Sequence, residues 1–195
     1  MPKVVFMRHA KTDRNEIGQF AGRADCNTTP EGLEKAKESF YYTEKDFDFY
    51  YCSPLKRTRQ TLDAVIPNQK PIVDERIIER NLGDWEDEYY DNIPNALIQS
   101  YVKGYFDPPK SETYANVTKR VKSFLKDLYE QYKPEDRILV VTHAGILRQI
   151  RDNLLPNMNK GIIDNGALLI VSHEDFEKFM ERLKQEEQNN LENRK

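Results

Sequence analysis

Cysteine is scarce: the 195 residues hold two, Cys26 and Cys52. Their spacing suits neither a metal-ligand pair nor a disulfide framework, so a reducing cytoplasm is the simplest expected compartment. Long apolar runs are missing too. Every hydrophobic stretch falls far short of the ~20 residues that a membrane-spanning helix needs. The first residues lead directly into a strand-like run, with no signal-peptide pattern. Charge of one sign is also lacking. Thirty Lys and Arg face 33 Asp and Glu, a net charge of −3, so no global basic field points to nucleic acid. No Gly-Lys-Ser/Thr phosphate loop occurs. The three histidines, His9, His143 and His173, do not have the paired spacing of a metal hydrolase. What remains is 38% hydrophobic and 32% charged, enough for one domain with a full core under a highly charged surface.

Apolar runs of strand length are expected at Lys3–Met7, Phe47–Tyr51, Pro71–Val73, Arg137–Val141 and Ala167–Val171. Helices are expected between them. Thr29-Pro30-Glu31 has a capping residue, a proline at the first helical position and an acidic first turn, so a helix should run toward Tyr42. Ser53-Pro54 repeats the device before Leu55–Ile66. The clearest helix is Glu112–Tyr132, where Tyr114, Val117, Val121, Phe124, Leu128 and Tyr132 form one buried stripe. Shorter helices are expected over Ile146–Leu155 and Glu174–Lys184, the latter with Ser172 as a possible cap. Such alternation implies an α/β layered fold. Residues 1–184 read as one domain, the Tyr-, Asp-, Asn- and Pro-rich stretch 81–110 as a lid over one end of the sheet, and 185–195 as a polar tail, either a frayed helix end or loose.

Two of the histidines sit where strand-like runs stop. Val4-Val5-Phe6-Met7 leads into Arg8-His9, and Ile138-Leu139-Val140-Val141 leads into Thr142-His143. In open α/β sheets, ligand sites lie outside the carboxyl ends of parallel strands. Imidazole beside guanidinium suits phosphate, joining a nucleophile or acid to a clamp for the anion. Asn15 follows the first run in a polar loop, Arg57 follows the second run and Glu79 the third, and all approach the same edge if the strands are parallel. A phosphoryl group in transfer spreads charge over its equatorial oxygens and needs preorganised donors. Arg8 and Arg57 can supply planar forks, with His143 and the Asn15 amide adding donors. A neutral His9 can attack phosphorus, and a carboxylic acid can protonate the leaving alkoxide. On charge alone Glu79 cannot be separated from Asp74, Glu75, Glu86 and Asp87. Cys52 suggests a rival, a cysteine phosphatase. However, Ser53-Pro54-Leu55-Lys56 gives neither the right gap to Arg57 nor glycine for an amide cradle, so Cys52 reads as a small buried residue. Taken alone, His173 has no arginine or glycine partner and is assigned no role.

Taken in order, these segments resemble the histidine phosphatase superfamily, in the branch holding cofactor-dependent phosphoglycerate mutases and small phosphomonoesterases. The likeness spans Val4 to about Val171. It is carried by Arg8-His9-Ala10, Asn15, Ala21-Gly22-Arg23 with Asp25, and Ser53-Pro54-Leu55 with Arg57 and Gln60-Thr61. Glu79 with Gly83-Asp84-Trp85-Glu86, and Thr142-His143-Ala144-Gly145, complete it. The resemblance implies a three-layer α/β/α sandwich with a mostly parallel central sheet, phosphoglycerate mutase-like, needing no metal and no other cofactor. It implies His9 as nucleophile, Glu79 as proton donor, and Arg8, Arg57 and His143 as the phosphate pocket helped by Asn15. Thr12, Ala21 and Gly22 match positions that touch substrate in mutases. The expected partner is a small phosphorylated substrate, neither nucleic acid nor membrane. Sugar phosphates, phosphoglycerates and α-ribazole phosphate all fit. The short Glu79-to-His143 stretch favours a phosphomonoesterase over a mutase, and a non-catalytic phosphate binder is the remaining alternative.

Three departures stand out. Ala10 replaces the usual glycine, Lys11 replaces the usual Glu or Gln, and Thr28 replaces the usual leucine. Lys11 and Arg23 are the candidates to meet a second negative group on the substrate. Tyr89, Tyr90, Tyr101, Tyr105 and Phe106 fit either a mouth over the phosphate or core beneath the lid, and Trp85 fits a packing anchor.

Overall fold

The computed structural model describes residues 3–41, 46–155 and 163–192. In chain order the elements are β1 (Lys3–Arg8), α1 (Asp13–Glu16), α2 (Pro30–Tyr41), β2 (Phe49–Cys52), α3 (Lys56–Val65), β3 (Ile72–Val73), α4 (Asn95–Val102), α5 (Tyr114–Gln131), β4 (Arg137–Thr142), α6 (Ala144–Arg148), β5 (Leu168–Val171) and α7 (His173–Glu192). Three-residue 3₁₀ turns occur at Glu75–Ile77, Gly83–Trp85 and Tyr90–Asn92.

The strands form one sheet in the order β3-β2-β4-β1-β5. Pairing is parallel except for β5, which runs antiparallel to β1 at the edge. Buried parallel strands are apolar on both faces, which is why β1 and β4 are continuous Val/Ile/Leu/Phe runs. Alternation then splits each strand between two cores. Val4, Phe6, Ile138 and Val140 pack against α5, α6 and α7. Val5, Met7, Leu139 and Val141 pack against Ala36 and Phe40 of α2 and Leu62 of α3. The result is the expected three-layer α/β/α sandwich. A third, smaller cluster of Leu82, Trp85 and Tyr101, with Phe20, Ile93, Val102 and Phe106 against it, lies outside both layers.

Several boundaries differ from the sequence expectation, each for a local reason. β2 begins at Phe49 because its ladder starts where β4 starts. Asp48 fixes that point, exchanging bonds with Arg137 through both its backbone and its side chain. The cap expected from Ser53-Pro54 is not made. Leu55 is the residue before α3, and the Ser53 hydroxyl serves another group. Thr29 does cap α2, its hydroxyl accepting from Gly32 N at 3.0 Å, whereas Tyr42 lies outside the described residues. Thr113 caps α5, and Ser172 caps α7 by accepting from Asp175 N at 3.3 Å. The helix after His143 starts at Ala144 and changes at Gln149 into a π-helical stretch ending at Leu154. The last helix passes the expected end at Lys184 and continues to Glu192. Residues Gln185–Glu192, expected as a frayed helix end or a loose tail, continue the helix, extended by strong helix formers such as Glu and Gln and by a Lys122–Glu186 ion pair. Among the described residues no helix is long and apolar enough to cross a membrane.

Candidate active site

Register builds the centre of the site. Arg8 of β1 pairs with Thr142 of β4, and Cys52 of β2 pairs with Val141. His9 and His143, the next residues along β1 and β4, therefore fall side by side at the carboxyl edge, and Ser53, which follows β2, stands level with Thr142, one residue before them. The His9 and His143 ring centroids are 5.3 Å apart. His9 Nδ1 lies 2.8 Å from its neighbour's carbonyl, Ala10 O. A carbonyl can only accept, so the proton sits on Nδ1 and the lone pair on Nε2. His143 Nε2 lies 2.7 Å from Ser53 Oγ, which itself accepts from Leu55 N at 3.4 Å. The Ser53 hydroxyl can then donate to Nε2, which leaves the His143 proton on Nδ1.

Arg57, in the first turn of α3, is 1% exposed. Its Nη2 donates to Gly22 O at 2.6 Å, and its Nη1 donates to Ala24 O at 3.1 Å and to Cys26 Sγ at 3.4 Å. The loop 21–24 thus grips one side of the guanidinium. Gly22 makes that loop possible. Its φ is +49°, and an added Cβ would stand 2.3 Å from Glu86 Oε1. Arg8 Nη1 donates to Ile163 O at 2.9 Å. Among the described residues, four buried side-chain nitrogens lack a hydrogen bond. One is Arg14 Nη1, which lies against the Asp87 carboxylate. The others are Arg8 Nε, Arg57 Nε and His143 Nδ1.

Glu79 comes from the segment after β3, which is tied down from several sides. Thr142 Oγ1 donates to Ile77 O at 2.7 Å, Arg120 Nη1 to Ile78 O at 2.6 Å, and Arg23 Nε to Glu79 O at 2.9 Å. The carboxylate accepts from Arg80 N at 2.9 Å through Oε1 and from Gly145 N at 3.2 Å through Oε2. Gly145 has to be small, because a Cβ there would stand 2.3 Å from Glu79 Oε1.

A cavity of about 460 Å³ opens at this edge. Seven of the expected residues line it: Arg8, His9, Asn15, Ala21, Gly22, Arg57 and Glu79. His143 is fully buried against the His9 ring. Thr12 is not in the lining. It is fully buried, and its hydroxyl accepts from Asn15 N at 3.2 Å as the cap of α1. Asn15 Oδ1 accepts from Thr12 N and, at 3.1 Å, from Asn165 Nδ2, so its Nδ2 is the end available to a ligand. Lys11 and Arg23, expected to meet a second negative group, do not line the cavity. Acidic neighbours hold them, Glu16 at 3.3 Å and Glu112 at 2.9 Å. The aromatic residues divide. Tyr90 and Tyr101 line the cavity, Tyr89 and Tyr105 are exposed, and Phe106 packs on Trp85 at 5.6 Å between ring centroids. Cys52 is fully buried, and burial pushes its thiol up to about 11, which is wrong for a nucleophilic thiolate. His173 pairs on the surface with Glu177 at 3.1 Å. Among the described residues no cluster of three His, Cys, Asp or Glu could hold a metal ion.

The model of the histidine phosphatase superfamily (branch 1) matches residues 4–186. The chain belongs to that superfamily. Phosphoserine phosphatase 1 of Hydrogenobacter thermophilus is 28% identical over 163 residues, covering 80% of this chain and 77% of that one. A 2,3-bisphosphoglycerate-dependent phosphoglycerate mutase of Cytophaga hutchinsonii is 29% identical over 166 residues, covering 79% and 78%. The crystal structure of α-ribazole phosphatase from Shigella flexneri has the same fold, with a TM-score of 0.71 at 24% identity over 87% of this chain and 90% of that one.

Sequence reasoning missed two polar groups of this histidine phosphatase cavity. Asn165, in the loop before β5, has no periodic signal. Arg148 does have one: it follows Ala144, another lining residue, by four positions on a helix and so shares its face.

Both site imidazoles of this histidine phosphatase superfamily member are held well below the ordinary value of 6.5, first by burial and then by the positive Arg57. They are therefore neutral at pH 7. A base whose folded-state value is lowered binds its proton only in the unfolded chain. The stability it contributes is complete above about pH 6.5 and is lost as the pH falls through that value toward the depressed one. Urea unfolding of wild type and His143→Gln between pH 7.5 and 5.5 should show a shallower slope in the variant, by up to about 1.4 kcal/mol per pH unit. Coincident slopes would mean that His143 is not buried in its neutral form.

Proposed function

We propose that the protein is a phosphomonoesterase that hydrolyses a small phosphate ester through a phosphohistidine formed on His9. The observation that carries this reading is the trio of unpaired buried donors, Arg8 Nε, Arg57 Nε and His143 Nδ1. Leaving a buried donor unsatisfied costs about 1–3 kcal/mol, more for a charged group. Arg8 and Arg57 line the cavity and His143 is buried against the His9 ring, so their spare donors gather beside the proposed nucleophile and match a phosphoryl group with several charged oxygens. The phosphatase-named relative supports this reading, and the mutase relative supports phosphoryl transfer more generally.

The dianionic phosphoryl group is held by Arg8, Arg57 and His143, with Asn15 adding its amide. Neutral His9 attacks phosphorus with its Nε2 lone pair. Its Nδ1 proton stays on the ring, bonded to Ala10 O, and stabilises the positive charge that develops. The P–O bond to the leaving group breaks as Glu79 gives its proton to the alkoxide. Water then enters. Glu79 takes a proton from it, the hydroxide oxygen bonds phosphorus, and the P–N bond to His9 breaks to release phosphate. These steps use no metal, and the two free buried cysteines suit a cytoplasmic enzyme. The segment 81–110 forms one wall of the cavity through Leu82, Tyr90, Ile98, Tyr101 and Val102.

With p-nitrophenyl phosphate, wild type should release inorganic phosphate in the presence of a chelator and His9→Ala should release none. Unchanged turnover in the variant, or a rate that needs an added divalent ion, would contradict this mechanism. Glu79→Gln should slow an alkyl phosphate by about 100-fold or more and the aryl ester much less, because a good leaving group needs little protonation. Equal losses on the two esters would rule out Glu79 as proton donor.

A further inference from the structure

Glu79 stands where the chain has no regular structure. One 3₁₀ turn ends at Ile77 and the next begins at Gly83, and no strand or helix includes residues 79–81. A proton donor on such a segment needs another source of rigidity. Side chains supply it. The two carbonyls that flank the Glu79 α-carbon are each taken by an arginine, Ile78 O by Arg120 Nη1 at 2.6 Å and Glu79 O by Arg23 Nε at 2.9 Å. Arg120 Nη1 also reaches Arg76 O at 2.7 Å.

Both arginines converge on one carboxylate, that of Glu112, just ahead of α5. Arg120 Nε donates to its Oε1 at 2.8 Å and Arg120 Nη2 to its Oε2 at 2.9 Å, a two-bond fork. Arg23 Nη2 donates to the same Oε2 at 2.9 Å. Among the described residues no other carboxylate pairs with either guanidinium. The Glu112 backbone joins in. Its N donates to Asn81 O at 3.0 Å, and its O accepts from Arg80 Nε at 2.8 Å. Ile78, Glu79, Arg80 and Asn81 are thus each tied to Glu112, directly or through one arginine. Arg80 in turn supplies the amide that holds Glu79 Oε1. Glu112 itself does not line the cavity, so it does not meet the substrate.

We propose that Glu112 is a positioning residue for Glu79. By aligning the two arginines that grip the Glu79 backbone, it sets the reach of the Glu79 carboxyl group to the leaving oxygen. This deepens the phosphomonoesterase reading and rests on Glu79 as its proton donor. Charge-assisted bonds are about twice as strong as neutral ones, so the Glu112 carboxylate is the stiff member of the brace. A misplacement of about 1 Å in a reacting group can cost ~100-fold in rate. A brace that served stability alone would weaken every substrate alike. A brace for the proton donor acts on the leaving group.

The test is the ratio of kcat/KM for propyl phosphate to kcat/KM for p-nitrophenyl phosphate. Both esters give the same phosphohistidine, so the ratio isolates departure of the leaving group and does not depend on the folded fraction. Glu112→Gln keeps the shape but loses the charge and one acceptor oxygen, and should lower the ratio about tenfold or more. Where that variant yields no folded protein, Arg23→Gln takes its place; it removes only the strut to Glu79 O and should lower the ratio about threefold or more. In a Glu79→Gln background the same substitution should change the ratio by less than about twofold, because the group being positioned is gone. A wild-type ratio in the single variant, or a larger further fall in the Glu79→Gln background, overturns the assignment of Glu112. A wild-type ratio in Glu79→Gln itself removes Glu79 as proton donor, and this inference with it. No hydrolysis of p-nitrophenyl phosphate by wild type overturns the underlying phosphomonoesterase reading.

Discussion

The parallel pairing of β1 with β4 is the constraint on which the rest depends. It sets Arg8 opposite Thr142, so that both strands end at the same level and deliver His9 and His143 to one point. A slip of one residue would send every side chain of β1 to the opposite face and exchange its two cores. The apolar alternation that fills those cores is therefore also what aligns the site. Val4 and Phe6 must face α5 and α7 while Val5 and Met7 face α2 and α3. Core packing and site geometry share one register, and neither can change without the other.

Around that fixed edge the site is held mostly by backbone groups. Carbonyls of Gly22 and Ala24 orient Arg57, the Ala10 carbonyl selects the His9 tautomer, and amides of Arg80 and Gly145 hold Glu79. Backbone groups on buried segments cannot rotate away, so they keep donors aimed before any ligand arrives. Burial has a second effect. It keeps both imidazoles neutral beside two guanidinium groups, which suits one of them to attack and the other to donate. The aromatic segment after Glu79 adds a wall that sequence patterning alone left undivided. Tyr90 and Tyr101 face the cavity, while Trp85 anchors the cluster behind them.

Much of this was legible in the sequence because the signals were strong and local. β-branched runs mark β1 and β4, a regular stripe marks α5, and short motifs mark Arg8-His9, Arg57, Glu79 and His143. The rest depends on contacts between distant segments. α4 was not seen because its short apolar set, Leu97, Ile98, Tyr101 and Val102, lies inside a stretch rich in Tyr, Asp, Asn and Pro that reads as a loop. Thr12 matches a substrate position by resemblance, yet its hydroxyl is used as a helix cap. Ser53 looks like a cap in sequence, and the register of β2 turns it toward His143 instead. Lys11 and Arg23 look available until the fold brings Glu16 and Glu112 to them. Arg148 could have been found from its helical spacing to Ala144, but only once Ala144 was known to face the cavity.

The central claim is that this edge of the sheet transfers a phosphoryl group by way of His9. Rapid mixing with p-nitrophenyl phosphate, a base quench that preserves phosphohistidine, and peptide mapping by mass spectrometry test it directly. The account predicts a transient phosphoryl group on His9 that forms and decays at rates compatible with turnover. Hydrolysis with no phosphorylated enzyme, or with the phosphoryl group on another residue such as Cys52 or Ser53, would contradict it.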